Sequence, residues 1–294
     1  LKTVVLCVLV LALSACATTF PTPQNAPPGS DSPFSGAVLF NQTFVAHGGE
    51  HLNELDNVSV GIMGQWKQLI RRIQPLVTDY TFRVESQERL FPKERVYAAH
   101  YTGPAGTKSV FRSPDTITVH YNGVGSTDPE VLSSTALTAD AFHLFLLGPL
   151  ALEPWKDQFE QIADAPLNGE LHHRVYVNRA PGFGYGEQDQ VVLWIDAKTK
   201  LTRMIQITLT GHASTKAAHV EVEYLDYLVE GEYTFPTKFF ERVNAPIAID
   251  AHSWELTELT INLDYSVDDV REPGLGEAKP VSYTHLRAHE TELH

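Results

Sequence analysis

Cysteine is scarce in this chain. Only Cys7 and Cys16 occur among the 294 residues, and both lie in the first sixteen positions. The rest of the sequence therefore cannot form a disulfide framework or a cysteine-ligated metal site. It must fold around a hydrophobic core, and the roughly 240 residues after the N-terminal segment are ample for one large domain.

Positive charge is also in short supply. The chain has 22 Lys and Arg against 36 Asp and Glu, which gives a formal net charge of -14. Such a surface repels the phosphates of nucleic acids and the head groups of anionic lipids. We therefore expect no nucleic-acid partner, and any attachment to a membrane has to come from acyl chains.

No hydrophobic run reaches the ~20 residues that a membrane-spanning helix needs. The N-terminal run, 4–13, has the length of a signal-peptide core and ends in Leu13-Ser14-Ala15-Cys16. This ending resembles the lipobox of bacterial lipoproteins, in which small residues precede a cysteine that is acylated and becomes the new N-terminus. We therefore predict a signal peptide at 1–15 and lipidation of Cys16.

Residues 16–36 are predicted to be a tether between the lipid and the domain. This stretch is rich in small polar residues and contains Pro21, Pro23, Pro27, Pro28 and Pro33. It cannot bury enough apolar area to fold by itself. Ala17 replaces the aspartate that typically retains such lipoproteins in the inner membrane. By that resemblance, the predicted location is the periplasmic face of the outer membrane.

The other end of the chain, 281–294, begins with VSYTHLRAHE. This string resembles a translated sequencing adapter, so we treat the segment as a non-native tail. Its histidines are accordingly left out of the candidate sites.

Alternating apolar and polar residues dominate the remaining segment, 37–275. Ile205, Ile207 and Leu209 form one such series, and Tyr80, Phe82 and Val84 form another. This period of two is typical of antiparallel strands with one buried face. Residues 196–200 (DAKTK) have the composition of a hairpin turn between two strands. A change of phase between 256 and 259 indicates a bulge and a curved sheet.

Two segments favour helix. Residues 37–47 fit a short amphipathic helix that ends at Gly48-Gly49. Residues 139–153 form the most apolar stretch of the domain, interrupted by Gly148-Pro149. A helix that is apolar all round must be buried. The fold class predicted from residues alone is therefore mainly β, with a single curved antiparallel sheet and a few helices on its concave face.

This pattern resembles the LolA/LolB superfamily. The likeness rests on the helix ending in Ala46-His47-Gly48-Gly49 and on the hairpin from Leu193-Trp194-Ile195-Asp196 to Arg203. It implies a half-open β-barrel over 37–275 whose concavity holds acyl chains of lipoproteins. No residue here can be carried over as a lipoprotein-transfer residue, and a shared fold does not establish a shared function.

The leading hypothesis is a non-enzymatic lipoprotein that binds a lipid or another apolar molecule in this concavity. The predicted cavity lining is Phe82, Phe142, Phe145, Leu146, Leu150, Trp194, Ile207 and Val222. Burial of each CH₂ of a ligand there is worth ~0.8 kcal/mol. The alternative is that the same side chains fill the core and that the protein acts as a scaffolding lipoprotein. In both cases we expect a monomer without a cofactor.

A remote alternative is zinc hydrolysis. His47, Glu50 and His51 match the H-x-x-E-H pattern of inverzincin peptidases. That chemistry needs both histidines on one helical face, and the intervening Gly48-Gly49 weakens a helix by ~1 kcal/mol per glycine. We therefore predict no metal site and no enzymatic activity.

Overall fold

The computed structural model describes residues 19–23, 35–216, 218–271, 273 and 275. The predicted signal peptide 1–15, the lipidation site Cys16, most of the tether and the tail 281–294 lie outside the described residues.

Thirteen strands form one sheet in which every neighbouring pair is antiparallel. In chain order they are β1 (Val58–Trp66), β2 (Glu85–Phe91), β3 (Val96–Gly103), β4 (Gly106–Ser113), β5 (Thr116–Tyr121), β6 (Val124–Gly125), β7 (Glu160–Leu167), β8 (Glu170–Arg179), β9 (Asp189–Asp196), β10 (Thr202–Thr208), β11 (His219–Glu230), β12 (Tyr233–Ala245) and β13 (Ile249–Ile261). Their order across the sheet is β6-β5-β4-β3-β2-β1-β13-β12-β11-β10-β9-β8-β7. The outermost strands, β6 and β7, do not pair, so the sheet stays open. The predicted fold class is confirmed.

Within the described residues, α-helices and short 3₁₀ helices accompany the sheet. The α-helices are α1 (Gly36–Ala46), α2 (Gln68–Ile73), α3 (Pro75–Thr78) and α4 (Pro129–Leu147), and the 3₁₀ helices are Gly49–Glu54, Gly148–Gln158 and Ala213–Thr215. The Ser35 side chain caps α1 by accepting from the Val38 N–H. The helix ends at His47, and Gly48 takes the left-handed φ of 89° that glycine tolerates. The first predicted helix is therefore confirmed.

Helix α4 lies on the concave face of the sheet and contacts both β3–β5 and β12. It begins earlier than predicted, after Asp128, whose carboxylate accepts from the Glu130 N–H. It ends at Gly148, where φ is 58°, and a 3₁₀ helix continues from there. The stretch Pro129–Gln158 has the length and apolarity of a membrane span, yet 78% of its most apolar window is buried within the domain.

A bulge in β13 explains the change of phase in the sequence. Gly61 of β1 pairs with Glu258, whereas the next residue, Ile62, pairs with Leu256, so that Thr257 is the extra residue. Leu256 and Leu259 can then face the same core although they are three positions apart. The predicted bulge is confirmed.

The segment 80–84 is not the strand that its alternation predicts. Asp79 ends α3 with φ 43°, and its carbonyl accepts from the N–H groups of Phe82 and Arg83. Because these backbone groups bond locally, the segment turns before β2 begins at Glu85. Phe82 lies in this turn, with its ring 4.8 Å from that of Tyr121.

The outer face of the sheet is partly covered at both sides. Phe20, from the predicted tether, packs against Tyr176, Trp194 and Met204 on the outer face of β8–β10. At the other side, Val270 and its neighbours pack against strands β2–β4. The core under α4 is therefore separated from two smaller apolar clusters by the sheet itself.

Candidate functional site

The candidate site is the apolar layer between the concave face of the sheet and α4. Six of the predicted lining residues belong to this one cluster and are 0–4% exposed: Phe142, Phe145, Leu146, Leu150, Ile207 and Val222. The first three are on α4, Leu150 is on the following 3₁₀ helix, and the last two are on β10 and β11. The structure therefore brings the helical and strand residues of the predicted lining together.

The other two predicted lining residues lie elsewhere, which corrects their assignment to the concave face. Trp194 points to the outer face because its neighbours Leu193 and Ile195 occupy the inner one. Its indole Nε1–H donates to Gln206 Oε1 at 2.8 Å, and its ring packs near Phe20. Phe82 is displaced by the turn described above.

The layer is packed in this structure. The six lining side chains named above are 0–4% exposed and pack in one cluster. The polar pocket beside Phe142, described below, holds about 20 Å³ of free space, which is room for roughly one water molecule. An apolar ligand can enter the layer only if α4 moves.

A buried lysine links the N-terminal half of α4 to the sheet and to the residue that ends α3. Lys108 Nζ on β4 lies 2.8 Å from Asp79 Oδ2 and donates to Thr135 Oγ1 of α4 at 3.1 Å. Tyr121 also donates to Asp79, at 2.6 Å. Burial lowers the pKa of Lys108 to about 8, although the Asp79 carboxylate opposes this shift.

A second ion pair holds the middle of the same helix. Arg112 of β4 donates twice to the Asp140 carboxylate of α4, at 2.9 and 3.0 Å. The same carboxylate accepts from the Gly184 N–H at 2.8 Å. Buried ion pairs contribute little net stability compared with apolar packing, but they define one position of a helix. The Arg112–Asp140 pair and the hydrogen bond from Lys108 to Thr135 therefore attach α4 to β4 at two points.

A polar pocket adjoins the apolar layer at the end where Phe142 lies. At its centre is Arg83, which is 6% exposed. Its guanidinium carbon is 4.7 Å from the ring centroid of Phe142, 5.0 Å from that of Tyr101 and 5.2 Å from that of Trp66. Its Nη1 donates to the carbonyl of Val77 at 3.1 Å. Cation–π contacts with three rings thus enclose the charge.

Several buried polar atoms around this pocket have no hydrogen-bond partner. They are Trp66 Nε1, Arg83 Nε, Glu88 Oε2, His252 Nδ1 and His252 Nε2. The His252 ring is stacked on Trp66 at a centroid distance of 3.8 Å. Unpaired buried polar groups are rare in folded proteins and call for an explanation.

Burial shifts the pKa values of the histidine and the carboxyl groups of this region towards their neutral forms. It lowers the pKa of His252 well below its ordinary value, and the nearby positive charge of Arg83 acts in the same direction. It raises the pKa of Glu88, against the hydrogen bond from Ser86. It also raises the pKa of Glu241, which pairs with His252 across β12 and β13, to about 7.

Sequence reasoning missed this pocket. In the alternating series Tyr80, Phe82 and Val84, Arg83 is one of the intervening polar residues. Such residues normally face water. The turn at Asp79 instead directs Arg83 inwards. The alternation predicts an exposed arginine, so its burial can be recognised only once the turn is known.

The H-x-x-E-H residues do not assemble a metal site. His47 is fully buried, its Nδ1 lies 2.7 Å from the Thr234 carbonyl, and its Nε2 accepts from the Thr202 N–H at 3.1 Å. Both nitrogens are thus occupied by backbone groups. Glu50 is exposed, and His51 lies 3.5 Å from Glu54. Within the described ranges, no group of three or more His, Cys, Asp or Glu could hold a metal ion.

A separate open groove of about 640 Å³ lies on the outer face, where β1, β12 and β13 are not covered. Its apolar lining includes Met63, Val84, Leu225 and Phe240. Lys238 and Glu255, 3.5 Å apart, form an ion pair at the same place.

No protein-family model and no curated protein matches the sequence. Among solved structures, a LolA superfamily protein from Nitrosomonas europaea matches with 11% identity and a TM-score of 0.49, over 81% of this chain and 98% of that one. A DUF1329 family protein from Desulfovibrio piger matches with 8% identity and a TM-score of 0.48, over 82% and 98%. LprF from Mycobacterium bovis matches with 10% identity and a TM-score of 0.28, over 81% and 98%. At such identities and TM-scores, these similarities assign neither a family nor a function to this chain.

Proposed function

We propose that this protein is a non-enzymatic, lipid-anchored lipoprotein that binds an acyl chain or a similar apolar molecule between its sheet and α4. The observation that carries the proposal is that the sheet does not close on itself and that one apolar helical segment, Pro129–Gln158, covers its concave face. In this closed state the segment occupies the place that the ligand would take. Gly148, with φ 58°, lies where the α-helical part of this segment, Pro129–Leu147, meets the 3₁₀ part, Gly148–Gln158.

The energetics allow an exchange between helix and ligand. A chain of about fifteen CH₂ groups gains on the order of 12 kcal/mol on burial, before the cost of moving α4. The apparent affinity is the intrinsic affinity multiplied by the fraction of molecules in the open state. A change that weakens the closed state should therefore tighten ligand binding.

The test uses the full chain with Cys16→Ala and the apolar fluorophore N-phenyl-1-naphthylamine, displaced by palmitate. Thr135→Val removes the hydrogen bond from Lys108 that joins α4 to β4, while Lys108 keeps its contact with Asp79. Thr138→Val is the matched control because the Thr138 hydroxyl bonds only to Ser134 and Thr135 within the helix.

We expect saturable binding to the parent chain and binding about fivefold tighter to Thr135→Val, since one hydrogen bond is worth ~1 kcal/mol. Thr138→Val should bind like the parent. Failure of all three proteins to bind the fluorophore and palmitate would contradict the proposed function. Equal binding by all three would contradict the displacement of α4.

A scaffolding role is the second candidate, and the outer groove beside Phe240 favours it. Binding of a protein partner in this groove should be lost when Leu225 is changed to Asp, because a charge replaces an exposed apolar side chain. Cross-linking of the membrane-attached protein, with and without this change, separates the two functions. The lipid-binding function predicts no difference in fluorophore binding for the same variant.

The anchoring itself is part of the proposal. Cys16 would carry the acyl chains at the periplasmic face of the outer membrane, residues 16–36 would form the tether, and 37–275 would form the domain. The low content of Lys and Arg supports acyl chains as the means of attachment.

A further inference from the structure

The polar pocket at the end of the apolar layer touches α4 through one residue, Phe142. Its other residues come from β1, β2, β3, β13 and the turn before β2. The ring of Phe142 separates the Arg83 guanidinium from the apolar side chains further along α4, and it also stacks on Trp254 at 5.3 Å. A movement of α4 would therefore open the pocket and the layer to each other.

Arg83 brings a permanent positive charge to this pocket. Within the part of the chain that the structure describes, it makes no ion pair within 4.0 Å. Its Nε–H points to no acceptor, and only the Val77 carbonyl is bonded to Nη1. A buried guanidinium is normally matched by a carboxylate or phosphate in bidentate geometry.

Among the residues that line the free space, unpaired donors outnumber unpaired acceptors. Arg83 Nε–H and Trp66 Nε1–H are unpaired donors, and a neutral His252 ring adds one more. The unpaired acceptors are Glu88 Oε2 and the second nitrogen of His252. Since burial favours the protonated form of Glu88, this carboxyl group can also donate. The set is suited to a compact group that only accepts hydrogen bonds.

We propose that this pocket binds the carboxylate of a single-chain amphiphile, such as a long-chain fatty acid, whose chain lies under α4. The inference rests on the proposed function and names its ligand class. The carboxylate accepts from Arg83, Trp66 and His252, and it replaces the cover that Phe142 gives to the guanidinium. A hydroxyl or an ester of the same chain length offers no negative charge to Arg83.

The experiment compares palmitate, hexadecanol and methyl palmitate as competitors of N-phenyl-1-naphthylamine on the full chain with Cys16→Ala. Arg83→Met removes the charge and keeps an apolar stem. Trp66→Phe removes the indole donor and keeps a smaller aromatic ring at this position. Arg242→Met is the matched control because Arg242 is an outer-face arginine that pairs with Asp250 at 3.2 Å.

We expect palmitate to bind about tenfold or more tightly than the alcohol and the ester, because hydrogen bonds to charged groups are the stronger ones. Arg83→Met should abolish this preference, Trp66→Phe should reduce it, and Arg242→Met should preserve it. If Arg83→Met does not fold, as judged by its unfolding transition, Trp66→Phe decides the question.

Two results would overturn the inference, and they are distinguishable. Equal binding of the three amphiphiles, or a preference that survives both pocket changes, contradicts the carboxylate site alone. No binding of the fluorophore or of any amphiphile contradicts the proposed function and the inference together.

Discussion

His47 shows how a single residue can join three elements. Its two ring nitrogens bond to the Thr234 carbonyl of β12 and the Thr202 N–H of β10, directly after the end of α1. Since the carbonyl requires a donor and the N–H an acceptor, the ring is held as one neutral tautomer. The Ala46-His47-Gly48-Gly49 motif is therefore a structural feature, in which Gly48 turns the chain away after the histidine has been placed.

The change His47→Ala should lower the free energy of unfolding by about 2–4 kcal/mol at pH 7.5, because two buried backbone groups lose their partner. Urea unfolding followed by circular dichroism measures this. His51→Ala is the control, since the His51 side chain is 40% exposed, and it should change stability by less than about 0.5 kcal/mol. Similar costs for the two variants would contradict the assigned role of His47.

The cost of His47→Ala should also depend on pH. Burial lowers the pKa of His47 from 6.5 to about 4, so between these values the unfolded chain binds more protons than the folded one. Stability that depends on neutral His47 is complete above pH 6.5 and is lost as the pH falls towards 4. The difference between parent and variant should shrink over this range by up to about 3 kcal/mol. A pH-independent difference would contradict the lowered pKa.

At the scale of the elements, α4 is held by charges that an apolar helix does not need for burial. Asp140 accepts three hydrogen bonds, from Arg112 twice and from the Gly184 N–H. Truncation of one member leaves the other charge buried without a partner, whereas replacing both removes the desolvation cost as well.

Asp140→Leu alone should therefore cost about 3–5 kcal/mol, and the double change Arg112→Met with Asp140→Leu should cost clearly less than the single one. Unfolding of both variants by urea gives the comparison. An additive double-mutant cycle would show that the pair does not interact as described.

Much of the fold follows from local pattern. Three features have a local sequence signal of only a few residues, and the structure confirms them: the helix before Gly48, the hairpin at 196–200 and the bulge at Thr257. The period of two also places Ile207 and Val222 correctly on the inner face. It cannot do so for Trp194, because both faces of β9 are apolar and the pattern does not say which one is the inside.

The candidate site was less accessible from the sequence. Residues such as Phe142 and Phe145 are apolar enough to mark a buried segment, but their sequence does not tell a filled layer from an empty cavity. The polar pocket depends on the turn at Asp79 and on pairings between β1 and β13, which join residues about 190 positions apart. Such contacts are set by tertiary structure, and alternation contains no information about them.

At the scale of the whole molecule, the proposed anchor can be removed without touching the domain. The change Cys16→Ala should leave the unfolding transition unchanged and move the protein from the membrane fraction to the soluble periplasm. Fractionation of the cell envelope with immunodetection measures this. A variant that still sediments with the outer membrane would mean that another surface, such as the groove beside Phe240, contributes to attachment.

The packing of Phe20 on the domain limits the distance between Cys16 and the domain. Phe20 is 8% exposed and seated on the outer face of β8–β10. A free chain from Cys16 to Gly36 could extend about 70 Å. The four residues that follow Cys16, up to Phe20, span at most about 14 Å. If Cys16 carries the anchor as proposed, Phe20 in this position would keep the outer face of β8–β10 close to the bilayer. The domain would then stay beside the membrane instead of reaching across the periplasm.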